Sequence, residues 1–149
     1  MKKIVSIIIV LLIPFANFSQ AKKLKKYGLS GVNIPRGVKV GEKAPTFKAV
    51  DQNGFLIDLN SMLRDGPVVL IFYRGYWCPF CSKALKNYAD SINLVTDKGV
   101  WFIAVSPETT LGVSKTIEET NLRFSVVSDQ DEKIMRAYDV AFDVSLEYQ

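Results

Sequence analysis

Val68-Val69-Leu70-Ile71-Phe72-Tyr73-Arg74-Gly75-Tyr76-Trp77-Cys78-Pro79-Phe80-Cys81 is the stretch on which the fold turns. Residues 68–73 are β-branched, aliphatic or aromatic without polar alternation, the pattern of a parallel strand buried on both faces. That run leads into a Cys-x-x-Cys. From Ser82 to about Asp97, Ala84, Leu85, Tyr88, Ala89, Ile92 and Leu94/Val95 recur at mostly three- and four-residue spacing, which predicts an amphipathic helix ended by Gly99. A strand that hands over to a helix at Cys78 puts this sulfur at the helix N-terminus, where unpaired N–H groups and the dipole favour a thiolate. Pro79 suits the first helical turn, because its missing N–H would have no partner there. Cys81, one turn further in, is close enough to close a disulfide with Cys78.

Working outward, residues 46–50 and 55–59 are short apolar segments around Asp51-Gln52-Asn53-Gly54, whose Asn-Gly predicts a β-hairpin. Asn60 is placed to cap a short helix over 61–64, which Gly66-Pro67 stops. Residues 100–105 predict a second buried strand, 109–120 a helix, 124–127 a third strand and 132–138 a final helical turn or two. Strands alternating with helices imply an α/β fold with a mostly parallel sheet flanked by helices and an N-terminal hairpin.

The chain has 149 residues, 48% of them hydrophobic, enough for one domain with a sizeable core. Lys2 and Lys3, the apolar residues 4–15 and the small-x-small Ser19-Gln20-Ala21 read together as a signal peptide over 1–21. Export follows, with the periplasm as the default compartment for a bacterial chain, and membrane contact is expected only through that signal. Residues 22–40 read as a leader and 41–149 as the domain. Without Lys2 and Lys3 the 19 basic residues become 17 against 15 acidic ones, too balanced to argue for nucleic acid. The lysines at 22, 23, 25 and 26 read as a solvated tail.

Histidine is absent, so Ser-His-Asp and Cys-His machinery are excluded. Two thiolates without imidazole make a poor zinc set, and no metal or cofactor is expected. Cys78 and Cys81 therefore carry the chemistry, as a reversible dithiol/disulfide pair in which one thiolate attacks and the other resolves. A merely structural staple closing so short a loop would remove little chain entropy. Arg74 is placed either to stabilise a thiolate or to stand as an exposed end-of-strand charge. Trp77 either shields or orients the nucleophile or is core. Tyr73 and Tyr76 carry phenol donors but read as packing residues.

Gly41-Glu42-Lys43-Ala44-Pro45-Thr46-Phe47, Phe72-Tyr73-Arg74-Gly75, Trp77-Cys78-Pro79-Phe80-Cys81, Val105-Ser106-Pro107-Glu108 and Ser128-Asp129, in this order, resemble the thiol-specific antioxidant (alkyl hydroperoxide reductase) branch of the thioredoxin superfamily. Within it they are most similar to the peroxiredoxin-like group with a Cys-x-x-Cys. The resemblance covers about residues 41–138. It implies a thioredoxin-like fold, thiol-dependent reduction of hydroperoxides or disulfides, and a thiol reductant such as a thioredoxin-like protein as partner. The peroxiredoxin pattern Pro-x-x-x-Thr/Ser-x-x-Cys is only partly present. With Cys81 as the peroxidatic residue, Arg74 stands at the proline and Cys78 at the threonine; with Cys78, those places hold Ile71 and Gly75. Thioredoxin logic instead makes Cys78 the exposed attacker and Cys81 the resolver.

The last proline is Pro107, so the later cis-proline that the family's fold carries opposite the dithiol has no counterpart, and the strand pair and helix that complete its sheet have no room after Tyr138; the sequence is expected to be incomplete at its C-terminus or, failing that, to have a divergent one. Three functions stand: a peroxiredoxin-like antioxidant peroxidase, a protein-disulfide oxidoreductase of exported proteins, and a non-catalytic binding module of thioredoxin-like shape.

Overall fold

The computed structural model describes residues 35–142, so the expected signal peptide, most of the expected leader and the final residues lie outside the described part. A hairpin of β1 (Lys48–Val50) and β2 (Leu56–Asp58) opens the fold, antiparallel with Ala49 opposite Ile57. Its turn forms as the Asn-Gly predicts: Gly54 takes φ +83°, and the Asp51 carboxylate accepts the N–H groups of Asn53 and Phe55. Helix α1 (Leu59–Asp65) follows directly. Its cap is Asp58 and not the expected Asn60, since the Asp58 carboxylate accepts from the N–H groups of Asn60 and Ser61 and the helix begins two residues earlier than expected.

The main sheet is parallel, in the order β3 (Val68–Phe72), β4 (Trp101–Ser106), β5 (Ser125–Ser128). Its connections are α2 (Pro79–Ser91) with the short α3 (Asn93–Thr96), and α4 (Thr110–Thr120); α5 (Lys133–Ala137) closes the described chain. Helix α2 was expected to run to about Asp97. Helical backbone does reach Thr96, but it is interrupted at Ile92 between α2 and α3; just before the break the Ser91 hydroxyl donates back to the Asn87 carbonyl at 2.8 Å, a bond that bends helices. Strand β5 lies one residue later than expected.

Strand β4 is buried on both faces, with Ile103, Ala104 and Val105 inaccessible. Ile103 and Val105 pack with Val127, Ile57 and Ile134 on one side, while Ala104 packs with Leu85, Val113 and Val126 on the other. Strand β3 was expected to be equally buried, but most of it is half-buried and Val69 is exposed. Among the described residues it pairs with β4 alone and so stands at the sheet's edge. At the opposite edge the hairpin is stitched to β5: Gln52 Oε1 accepts the Val126 N–H at 2.6 Å, and Ser125 Oγ donates to Asp51 at 3.0 Å. These bonds satisfy polar groups that an open edge would leave unpaired. The arrangement is a mixed α/β fold of the thioredoxin-like kind, with both sulfurs at the C-terminal end of β3.

Candidate active site

Strand β3 ends at Phe72, and the chain then turns within residues 74–78 into α2. Gly75, with φ +153°, makes that turn, and its carbonyl accepts the Cys78 N–H at 3.1 Å. Cys78 is the N-cap of α2 and Pro79 its first residue, as the sequence predicts. No disulfide joins Cys78 and Cys81 in the structure. Cys81 Sγ lies 2.7 Å from Cys78 Sγ, within reach of disulfide closure.

Three donors converge on the Cys78 sulfur: the Cys81 thiol, the Cys81 backbone N–H at 3.4 Å and Arg74 Nη2 at 2.9 Å. Burial pushes the Cys78 thiol up, but the hydrogen bonds from Cys81 and the Arg74 guanidinium outweigh it and hold the thiol below its ordinary value. The same contacts, with Cys78 and then Cys81, raise Arg74. Arg74 is thus both exposed at the end of the strand and in hydrogen-bond contact with the Cys78 sulfur. Its guanidinium also lies over the Trp77 ring, 5.2 Å from the centroid. Trp77 is 60% exposed and so is not core; it supports Arg74 from the solvent side.

One expectation is reversed. Cys78, expected to be the exposed sulfur, is only 1% accessible, while Cys81 is half-buried. The N-cap geometry is the reason, because a side chain that accepts from the helix's own N–H folds back over the first turn. Charge, not access, distinguishes Cys78. Tyr73 packs in the core and Tyr76 is half-buried with the Lys115 ammonium 4.7 Å from its ring centroid.

A groove of about 360 Å³ opens beside both sulfurs, walled by Ile71, Phe80, Ala84, Leu85 and Tyr88 among others. A larger cavity, about 580 Å³, lies between the hairpin and the start of β4 and contains no cysteine. One polar residue near the turn was quoted in the sequence only as part of a motif: Glu108, in the segment after β4, is buried and accepts the Tyr76 N–H at 2.7 Å.

Removing the guanidinium tests the electrostatics. In Arg74→Met the Cys78 thiol moves up toward the ordinary value, so less thiolate is present at neutral pH and the midpoint of an alkylation-rate profile shifts to higher pH. The rate with iodoacetamide at pH 7 is expected to fall about threefold to tenfold, an exposed cation being partly screened. The plateau at high pH stays unchanged, because there the thiol ionises without help.

Comparisons with known proteins agree with this geometry. The sequence is 30% identical over 105 residues to the thiol-disulfide oxidoreductase ResA of Bacillus subtilis, covering 70% of this chain and 58% of that protein. The chain therefore spans about three fifths of the length of such relatives. The crystal structure of peroxidoxin BcpB from Mycobacterium tuberculosis superposes with a TM-score of 0.60 at 23% identity, over 71% of this chain and 66% of that one. A secreted Mycobacterium tuberculosis disulfide oxidoreductase gives 0.56 at 22% identity, over 66% of this chain and 83% of the other. At such identities the likeness shows the thioredoxin-like fold. The sequence model described as AhpC/TSA family matches residues 40–147, which include the whole turn and both cysteines, and the chain belongs to that family.

Proposed function

We propose that the chain is a thiol-based antioxidant oxidoreductase that reduces hydroperoxides, with Cys78 as the attacking sulfur and Cys81 as the resolver. The observation that carries this reading is Arg74 Nη2 at 2.9 Å from Cys78 Sγ. A thiolate held this way attacks the terminal peroxide oxygen; the S–O bond forms as the O–O bond breaks, and the leaving alkoxide or hydroxide takes up a proton. Arg74 stabilises the charge that develops on the leaving oxygen. Cys78 becomes a sulfenic acid. The Cys81 sulfur then attacks it, an S–S bond forms and water leaves. Two electrons from an external dithiol, such as a thioredoxin-like protein, return the pair to the reduced state. The basic and apolar N-terminal residues support action after export, in the periplasm.

A specific observation also favours disulfide exchange with exported proteins. Among the described residues the hydrogen-bond donors to Cys78 Sγ are Arg74 and Cys81, with no hydroxyl among them, and the groove beside the sulfurs is largely apolar. Stopped-flow oxidation of the reduced protein by hydrogen peroxide, followed by tryptophan fluorescence, separates the two. Oxidation at least about 10²-fold faster than that of a free thiol is expected, the scale of one well-placed electrostatic contact. A free-thiol rate, together with rapid reduction of a protein disulfide, would replace the peroxidase reading by the exchange reading.

A further inference from the structure

The turn that carries Arg74 is held from a distant element. Tyr76 sits inside it, and its backbone N–H points into the protein, where it needs an acceptor. Glu108 Oε1 supplies one at 2.7 Å from the segment between β4 and α4. The other carboxylate oxygen accepts from Thr116 Oγ1 at 3.0 Å and Ser106 Oγ at 3.4 Å, so donors from β4, α4 and the turn converge on one buried acid. Burying a carboxylate is costly unless donors surround it, and here they do.

Two glycines make room for this carboxylate. A Cβ at Gly75 would meet Glu108 Oε1 at 2.8 Å, and one at Gly112 would meet the same atom at 3.0 Å. Tyr73, the residue before Arg74, turns its hydroxyl toward the same polar group; it is buried and has no hydrogen-bond partner among the described residues. Burial, and then the Glu108 charge, push Tyr73 up to about 12, so it stays a neutral phenol. The groups facing the site are then Arg74 and Cys81 on Cys78, Tyr73, Ser106 and Thr116 on Glu108, and Lys115 on the Tyr76 ring.

We propose that Glu108 is a positioning residue for the dithiol: by fixing the turn at Tyr76 it sets the Arg74 guanidinium against the Cys78 sulfur. Glu108 touches neither sulfur nor substrate in this role and acts through Arg74. The inference rests on the reading of Cys78 as the attacking sulfur.

The test is the pH profile of Cys78 alkylation by iodoacetamide in the reduced full chain, resolved from Cys81 by peptide mass spectrometry. Glu108→Gln keeps the acceptor and its reach, and the Ser106 and Thr116 hydroxyls can turn to accept from the new amide. Glu108→Asp keeps the charge but withdraws the oxygen from the Tyr76 N–H. E108Q is expected within about twofold of the wild type at pH 7, while E108D falls about threefold to tenfold and recovers at high pH, the size of losing the guanidinium contact. Adding R74M to E108D costs nothing further. An unchanged E108D, a loss that persists at high pH, or additive losses in the double variant would overturn the proposal. Circular dichroism confirms that each variant is folded. Alkylation involves neither peroxide nor a disulfide substrate, so a wild type that ignores peroxide sinks the peroxidase reading and leaves this test intact.

Discussion

Cys78→Ser is expected not to react with hydrogen peroxide, whereas Cys81→Ser is expected still to consume about one equivalent and to stop at a sulfenic acid that dimedone traps. Serine retains the shape of the N-cap and accepts the same donors, so α2 keeps its start. Its hydroxyl does not ionise near neutral pH, and Arg74 has no thiolate to hold. Loss of the attacking group is expected to lower the oxidation rate by about 10³-fold or more, the scale seen when a nucleophile is removed. In Cys81→Ser the Arg74 contact and the backbone N–H of residue 81 remain, and only the thiol donor at 2.7 Å is exchanged for a hydroxyl. Oxidation therefore stays within about tenfold of the wild type while turnover with a thiol reductant ceases, since the resolving sulfur is gone. The opposite pattern, with Cys78→Ser reactive and Cys81→Ser silent, would transfer the attack to Cys81 and the register to the one in which Cys78 stands at the threonine position. Quench-flow with mass analysis of the trapped adduct distinguishes the two.

The parts of this site that lie close together in the chain were legible in the sequence. Arg74, Trp77, Cys78, Pro79 and Cys81 fall within eight residues, and a strand, a glycine and a proline at the first helical position determine how they meet. The apolar run over 68–73 announced β3, but its exposure depends on which strands flank it, and periodicity carries no information on sheet order. Asp58, not Asn60, caps α1 because β2 ends at Asp58 and its carboxylate reaches the N–H groups of Asn60 and Ser61. The exposure of Cys78 was read in the wrong direction, since the same N-cap geometry that makes the sulfur acidic also folds it inward. Glu108 was beyond reach for a different reason: its bond to the Tyr76 N–H spans 32 residues and joins two segments that meet only once the parallel sheet has formed. No local pattern encodes such a contact.

Leu85→Ala is expected to destabilise the protein by about 2–5 kcal/mol, a large part of the roughly 5–15 kcal/mol that holds a domain of this size. Leu85 is 2% exposed, and its side chain fills the space between α2 and the sheet, in one cluster with Tyr73, Ala104 and Val113. Removing three carbons there leaves a cavity that the inaccessible Ala104 and Val126 on the sheet have little freedom to close. The exposed Phe80, in the first turn of the same helix, provides the comparison: Phe80→Ala is expected within about 0.5 kcal/mol of the wild type, although its side chain is larger. Urea unfolding measures both, with the midpoint falling in Leu85→Ala and the slope unchanged. A Leu85→Ala midpoint equal to that of Phe80→Ala would mean that α2 is not anchored through this residue. The anchoring matters for the site because Cys81 packs against the same cluster four residues earlier on the helix, so its sulfur is held in place by the core that Leu85 fills. Cys78 depends on that arrangement in turn, since two of the three donors on its sulfur come from Cys81. Leu85→Ala should therefore slow Cys78 alkylation at pH 7 by a few fold even under conditions where the variant is fully folded.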